Sequence, residues 1–123
     1  MWRRKRSQIE RDAEQLAGTD TVAFAGVGFA ARILPETEAY RRLEAALPEH
    51  PDEVRARVDW LLEHGSPAGR AYAATLLEEI DPVAARTAWR RLADSDGEFV
   101  TFAGCIMGHR TLREYATEQL AAE

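Results

Sequence analysis

Between His50 and Asp94 the apolar positions fall into three sets: Val54, Val58, Leu61 and Leu62, then Ala73, Leu76, Leu77 and Ile80, then Ala85, Ala88, Trp89 and Leu92. Each set follows the i, i+3 or i+4, i+7 spacing that puts side chains on one face of a helix. The starts are punctuated. Ser66-Pro67 and Asp81-Pro82 place a capping side chain ahead of a proline in the first turn, where the missing N–H costs nothing, and Pro51 is followed by Asp52 and Glu53, which favour the positive end of a helix dipole. Gly65 closes the first set at a position suited to a left-handed residue. The pattern predicts three consecutive helices breaking near Gly65 and Asp81, joined by turns short enough to make them antiparallel neighbours. Val58, Leu62, Leu77, Ile80 and Leu92 are their predicted core.

Three further helices are predicted outside this block. Residues 4–17 carry Ile9, Ala13, Leu16 and Ala17 on one face and end at Gly18; Pro35 starts another with Tyr40, Leu43 and Leu47 inward and Pro48 beyond it. The last opens on the capping box Thr111-Leu112-Arg113-Glu114, followed by Leu112, Tyr115, Ala116 and Leu120 on one face. Two segments share the pattern Val-x-Phe-Ala-Gly, at Val22–Gly26 and Val100–Gly104. Their alternation suits strands, although Phe99, Phe102, Ala103 and Ile106 also fit a helix face. Gly26, Gly28, Gly104 and Gly108 all disfavour a helix, so a short pairing of 22–26 with 99–104 is expected. The fold class is mainly α, in one helical domain over 1–123 with a basic N-terminal end at 1–6.

Residues 66–103 resemble HEAT-like helical repeats. The likeness is carried by Asp81-Pro82-Val83-Ala84 and by Leu92-Ala93-Asp94-Ser95-Asp96-Gly97-Glu98, which match a D-P-x-A helix start and an L-x-D-x-D-x-E turn between helices. The chain departs from such repeats at Phe99–Gly104, where Val-Arg and an alanine-rich helix are usual, and no second repeat follows at a fixed period. The resemblance implies antiparallel helix pairs and a scaffold that binds other macromolecules.

Composition narrows the class. At 123 residues, 46% hydrophobic and 30% charged, the chain has the balance of a packed globular domain. The single cysteine, Cys105, cannot form an internal disulfide, and a reducing cytoplasm is the expected setting. Met1-Trp2-Arg3-Arg4-Lys5-Arg6 is not followed by the apolar run of an export signal, and the apolar stretch from Val22 to Leu34 is too short to span a bilayer.

No catalytic, cofactor or metal residue is assigned. Gly26-Val27-Gly28-Phe29-Ala30-Ala31 matches G-x-G-x-x-A, but a dinucleotide site also needs a helix running on from the motif and an acidic strand end about 20 residues later. Pro35 and the turn near 46–53 stand there instead. Cys105 and His109 are four apart, which on a helix would bring thiol and imidazole together, yet Cys105 lies in an apolar run typical of a structural thiol. His50, His64 and His109 lack zinc-ligand spacing. His64 reads as a cation at a helix C-terminus, Glu78 and Glu79 as a solvated face, and Arg86, Arg90 and Arg91 as part of a locally salt-bridged surface.

Charge is what points to function. Residues 1–6 hold four of the 16 basic side chains and no acid, leaving 12 basic against 21 acidic groups in the rest, a balance of −9. An acidic body disfavours nucleic-acid binding. The expectation is a non-catalytic protein–protein interaction module, an adaptor or an inhibitor of the immunity type, that binds a basic protein partner, with no small-molecule substrate, no nucleic acid and no membrane span. Two alternatives are a small enzyme with a site around Cys105 and His109, with His64 also to be tested, and a peripheral membrane-surface protein held by its basic N-terminus.

Overall fold

The computed structural model describes residues 6–27, 32–103 and 106–122. Its elements run α1 (Gln8–Ala17), β1 (Thr21–Val22), α2 (Pro35–Ala46), α3 (Pro51–His64), α4 (Pro67–Ile80), α5 (Pro82–Leu92), β2 (Glu98–Ala103), β3 (Ile106–Thr111) and α6 (Leu112–Ala121). The protein is mainly helical, with a small mixed sheet. The caps operate as their residue types require: Ser66 accepts from the Gly69 N–H, Asp81 from the Ala84 N–H, and Thr111 and Glu114 form the reciprocal box. α1 opens on Ser7, whose Oγ accepts from the Glu10 N–H. Consecutive helices from α3 to α6 pack on one another, and α1 packs against α2, α3 and α4.

The buried centre is built from Leu16, Leu43, Leu61, Tyr72, Leu76, Leu77, Trp89 and Leu112. Val58, Leu77 and Leu92 belong to it, whereas Leu62 and Ile80 are only partly buried and pack on its rim. They sit at the edge of their helical stripes, where the face turns toward solvent. Gly65 also departs from expectation: at φ −75°, ψ 160° it is extended, not left-handed. A side chain there would strike the Leu61 carbonyl oxygen at 2.6 Å, so close packing is what calls for glycine. The left-handed position is Gly97, φ 129°, which turns the chain from α5 into β2 directly over Pro67.

The sheet order is β1-β2-β3. β1 pairs with β2 in parallel, Thr21 opposite Val100 and Val22 opposite Thr101. The expected tie between the two ends of the chain is therefore present, but it is confined to 21–22. Residues 23–26 leave the strand because Ala23 gives its backbone to side chains instead: its N–H donates to the Tyr72 hydroxyl (2.8 Å), and its carbonyl accepts from Tyr72 (2.9 Å) and Thr37 (2.6 Å). The third strand was not expected. β3 runs antiparallel to β2 from Ala103 opposite Ile106 to Glu98 opposite Thr111, and its glycine, Gly108, lies within the ladder opposite Thr101.

Candidate interaction groove

His50, His64 and His109 belong to no metal-holding cluster among the described residues. His64 ends α3, exposed, with its ring 5.6 Å from Trp60 and its Nε2 3.9 Å from Glu63. His109 is exposed on β3, opposite Val100. Cys105 lies outside the described residues, as do Gly28–Ala31 of the G-x-G-x-x-A motif. Residues 106–111 are a strand, so His109 does not lie on a helix. α2 begins only at Pro35, beyond an isolated bridge between Val27 and Arg32, and so no described helix starts on the glycine motif.

Glu78 and Glu79 are more than a solvated face. The Trp89 indole N–H donates to Glu78 Oε1 at 2.8 Å, satisfying a polar atom on a ring that is otherwise fully buried. Glu79 shares a hydrogen bond with Glu44 of α2. That bond, followed by burial and the charges of Glu44 and Glu78, pushes its carboxyl up to about 7. Burial, reinforced by the charges of Glu44, Glu79 and Glu78, holds the neighbouring Tyr40 phenol well above its usual range. On α5, Arg90 and Arg91 form no ion pair among the described residues, and Asp81 at the start of the helix pairs with Arg55 of α3 at 3.5 Å.

The concave surface with the most chemistry lies where the N-terminus of α1, the C-terminal end of α2 and the start of α3 meet. It is a shallow groove of about 480 Å³. Ile9, Ala45 and Ala46 give it an apolar strip, and Asp12 and Arg42 cross it. Asp12 is only 2% exposed, on the same face of α1 as Ile9, Ala13 and Leu16. Its Oδ1 accepts from Arg42 (Nη2, 2.8 Å; Nε, 3.0 Å) and from Gln8 (3.0 Å). A carboxylate this buried needs such compensation, and the hydrogen bond to Asp12 in turn raises the Arg42 pKa.

With Asp12 and Arg42 neutralising each other, the net charge of the groove comes from Glu49 and Glu53. Glu53 accepts from the Ser7 hydroxyl at 2.7 Å and thereby ties α1 to α3. Glu49 is exposed and has no partner among the described residues. The last turn of α2 carries no basic residue, so its negative dipole end adds to the anionic character. An apolar strip under an anionic rim suits a segment that combines an apolar anchor with Lys or Arg. A second cavity, between Leu62, Arg70, Ala88 and Leu92, is about 50 Å³ and has room for little more than a water molecule.

Sequence reasoning passed over both Asp12 and the Glu44–Glu79 pair. For Asp12 a signal existed, since positions 9, 12, 13 and 16 share one helical face and a carboxylate among them calls for a partner. For Glu44 and Glu79, 35 positions apart on different helices, none did.

Among the described residues no helix is long and apolar enough to cross a membrane, and no cluster of three or more His, Cys, Asp or Glu is placed to hold a metal. No protein-family model, curated protein or solved structure matches the chain.

Proposed function

We propose that this protein is a non-catalytic interaction module of the cytoplasm, an adaptor or an inhibitor of the immunity type, and that it binds a basic protein partner through the groove between α1, α2 and α3. The observation that carries this reading is the pairing of the apolar strip, Ile9, Ala45 and Ala46, with an anionic rim in which Glu49 is exposed and has no partner among the described residues. The net charge of −9 over residues 7–123 supports it, because an acidic body draws a cationic partner and speeds encounter. The HEAT-like resemblance of residues 66–103 supports an interaction role, since such repeats are scaffolds that bind other macromolecules.

A lysine-rich peptide carrying one tryptophan is a suitable probe. Titrated into isotope-labelled protein, it should shift the amide resonances of Ile9, Ala45, Ala46 and Glu49 first, and its association should slow as salt rises while dissociation changes less. Shifts spread evenly over the acidic surface, or indifference to salt, would defeat the proposal.

A further inference from the structure

α5 turns Ala85, Ala88, Trp89 and Leu92 into the core. Its outer face carries Pro82, Val83, Arg86, Thr87 and Arg90, one stripe at helical spacing. Val83 is 79% exposed, an apolar, β-branched side chain on the solvent side of a helix, where a polar residue of higher helix propensity is usual. The Thr87 hydroxyl donates to the Val83 carbonyl at 3.3 Å, so the stripe can be covered without orphaning it. α5 contains no acid, and Asp81 ahead of it pairs with Arg55, so the cations are not cancelled locally. Arg90 is exposed and forms no ion pair among the described residues. One α5 thus presents an apolar anchor and cations along about 10 Å of helix. That is the chemistry that the groove between α1, α2 and α3 suits: Ile9, Ala45 and Ala46 can take the valine, and Glu49 and Glu53 can take guanidinium groups.

We propose that the groove takes a second copy of this chain, which docks head to tail by laying the 83–90 face of its α5 into the groove, with Val83 on the apolar strip and Arg90 against Glu49. The proposal rests on the groove being the docking site described above, and it names the basic segment that fills it. Groove and helix face share no lining residue. The contact is therefore heterologous: each copy can give its helix to one neighbour and its groove to another. One helix in one groove is a contact of the small, transient kind. Two bodies of net charge −5 repel at long range, but that repulsion is screened beyond about 8–10 Å at physiological salt, while pairs formed within the contact are screened much less. A foreign basic partner then competes with a neighbour's α5 for the same groove.

The experiment uses the full chain at physiological salt. Sedimentation of the wild-type protein over the micromolar to millimolar range should show an average mass that rises with concentration, and the amide resonances of Ile9, Ala45, Glu49, Val83 and Arg90 should shift over the same range. Glu49→Lys and Arg90→Glu, both at exposed positions, should each weaken self-association about five- to thirtyfold, the effect of trading one attraction for one repulsion. Mixed in equal amounts, the two variants should associate again, because the reversed groove of one meets the reversed helix of the other. Association that neither substitution weakens, or weakened variants that do not recover on mixing, overturns the proposal. A wild-type chain that stays monomeric throughout, while the lysine–tryptophan peptide still shifts the groove resonances, overturns the self-docking and leaves the groove standing as a site for other basic segments. A monomer whose groove the peptide does not enter overturns both.

Discussion

Replacing Tyr72 with Phe removes one oxygen and isolates a buried backbone group. Tyr72 is fully buried, and its hydroxyl both accepts from the Ala23 N–H and donates to the Ala23 carbonyl. The ring contacts with Phe24 and Tyr40, at 5.2 and 5.5 Å between centroids, remain in the variant, so packing is largely conserved. What is lost is the partner of an N–H on a residue only 2% exposed. An orphaned buried donor costs about 1–3 kcal/mol. The carbonyl keeps Thr37 at 2.6 Å. Thr37→Val is the complementary change: the carbonyl keeps Tyr72, no donor is orphaned, and the cost should be near 1 kcal/mol. At about 4 °C per kcal/mol for a chain of this length, Tyr72→Phe should lower Tm by roughly 8 °C and Thr37→Val by roughly half that. The double variant strips the carbonyl of both partners, so its loss should exceed the sum of the single losses by about 1 kcal/mol. Urea unfolding followed by far-ultraviolet circular dichroism measures all three. If Tyr72→Phe costs no more than Thr37→Val, the hydroxyl is not what holds Ala23.

Other expectations follow from the same contacts. Leu77→Ala, at a site only 2% exposed, should cost about 2–5 kcal/mol in urea unfolding, and the same change at the half-buried Leu62 clearly less. Asp81→Ala removes the cap that accepts from Ala84 and should cost about 1 kcal/mol, read as a lowered urea midpoint. Because the Glu79 carboxyl is raised from 4.5 to about 7 in the folded protein, the stability that its proton contributes is complete below about pH 4.5 and is lost as pH rises through 7. Glu79→Gln should therefore flatten the fall in unfolding free energy between pH 5 and 8 and make the protein more stable than wild type at pH 8; parallel pH profiles would show that the two carboxyls are independent. Arg42→Ala leaves Asp12 buried with only Gln8, and should cost about 2–3 kcal/mol, below the full cost of breaking a buried pair because Arg42 itself is 44% exposed to solvent.

The helices were legible in the sequence because each carries its own start signal and a face of apolar residues, all local information. Ser66, Asp81 and Thr111 cap as their residue types dictate. β3 was not legible. Its burial follows no alternation, with Ile106, Met107 and His109 all exposed, and so the period-2 pattern that announces a half-buried strand is missing. The short β1 was recognised in kind but overextended, since the hydroxyls that claim Ala23 come from Thr37 and Tyr72, 14 and 49 positions away. The groove lies beyond sequence reasoning for the same reason. It is made by the ends of three helices, and only the misplaced Asp12 on the apolar face of α1 hinted at a partner from elsewhere.

The claim that a basic segment docks in this groove is tested most directly by separating local charge from total charge. Glu49→Lys and Glu63→Lys change the net charge equally, but Glu49 stands at the rim of the groove and Glu63 is an exposed residue of α3 outside its lining. Reversing a charge removes one attraction and adds one repulsion, each about 0.5–1 kcal/mol at an exposed site. Together these correspond to roughly a five- to thirtyfold loss of affinity. Calorimetric titration with the lysine–tryptophan peptide should show that loss in Glu49→Lys and less than about a twofold change in Glu63→Lys. Equal losses in the two variants would mean that the peptide senses only the overall charge of the protein, and that the groove is not its site.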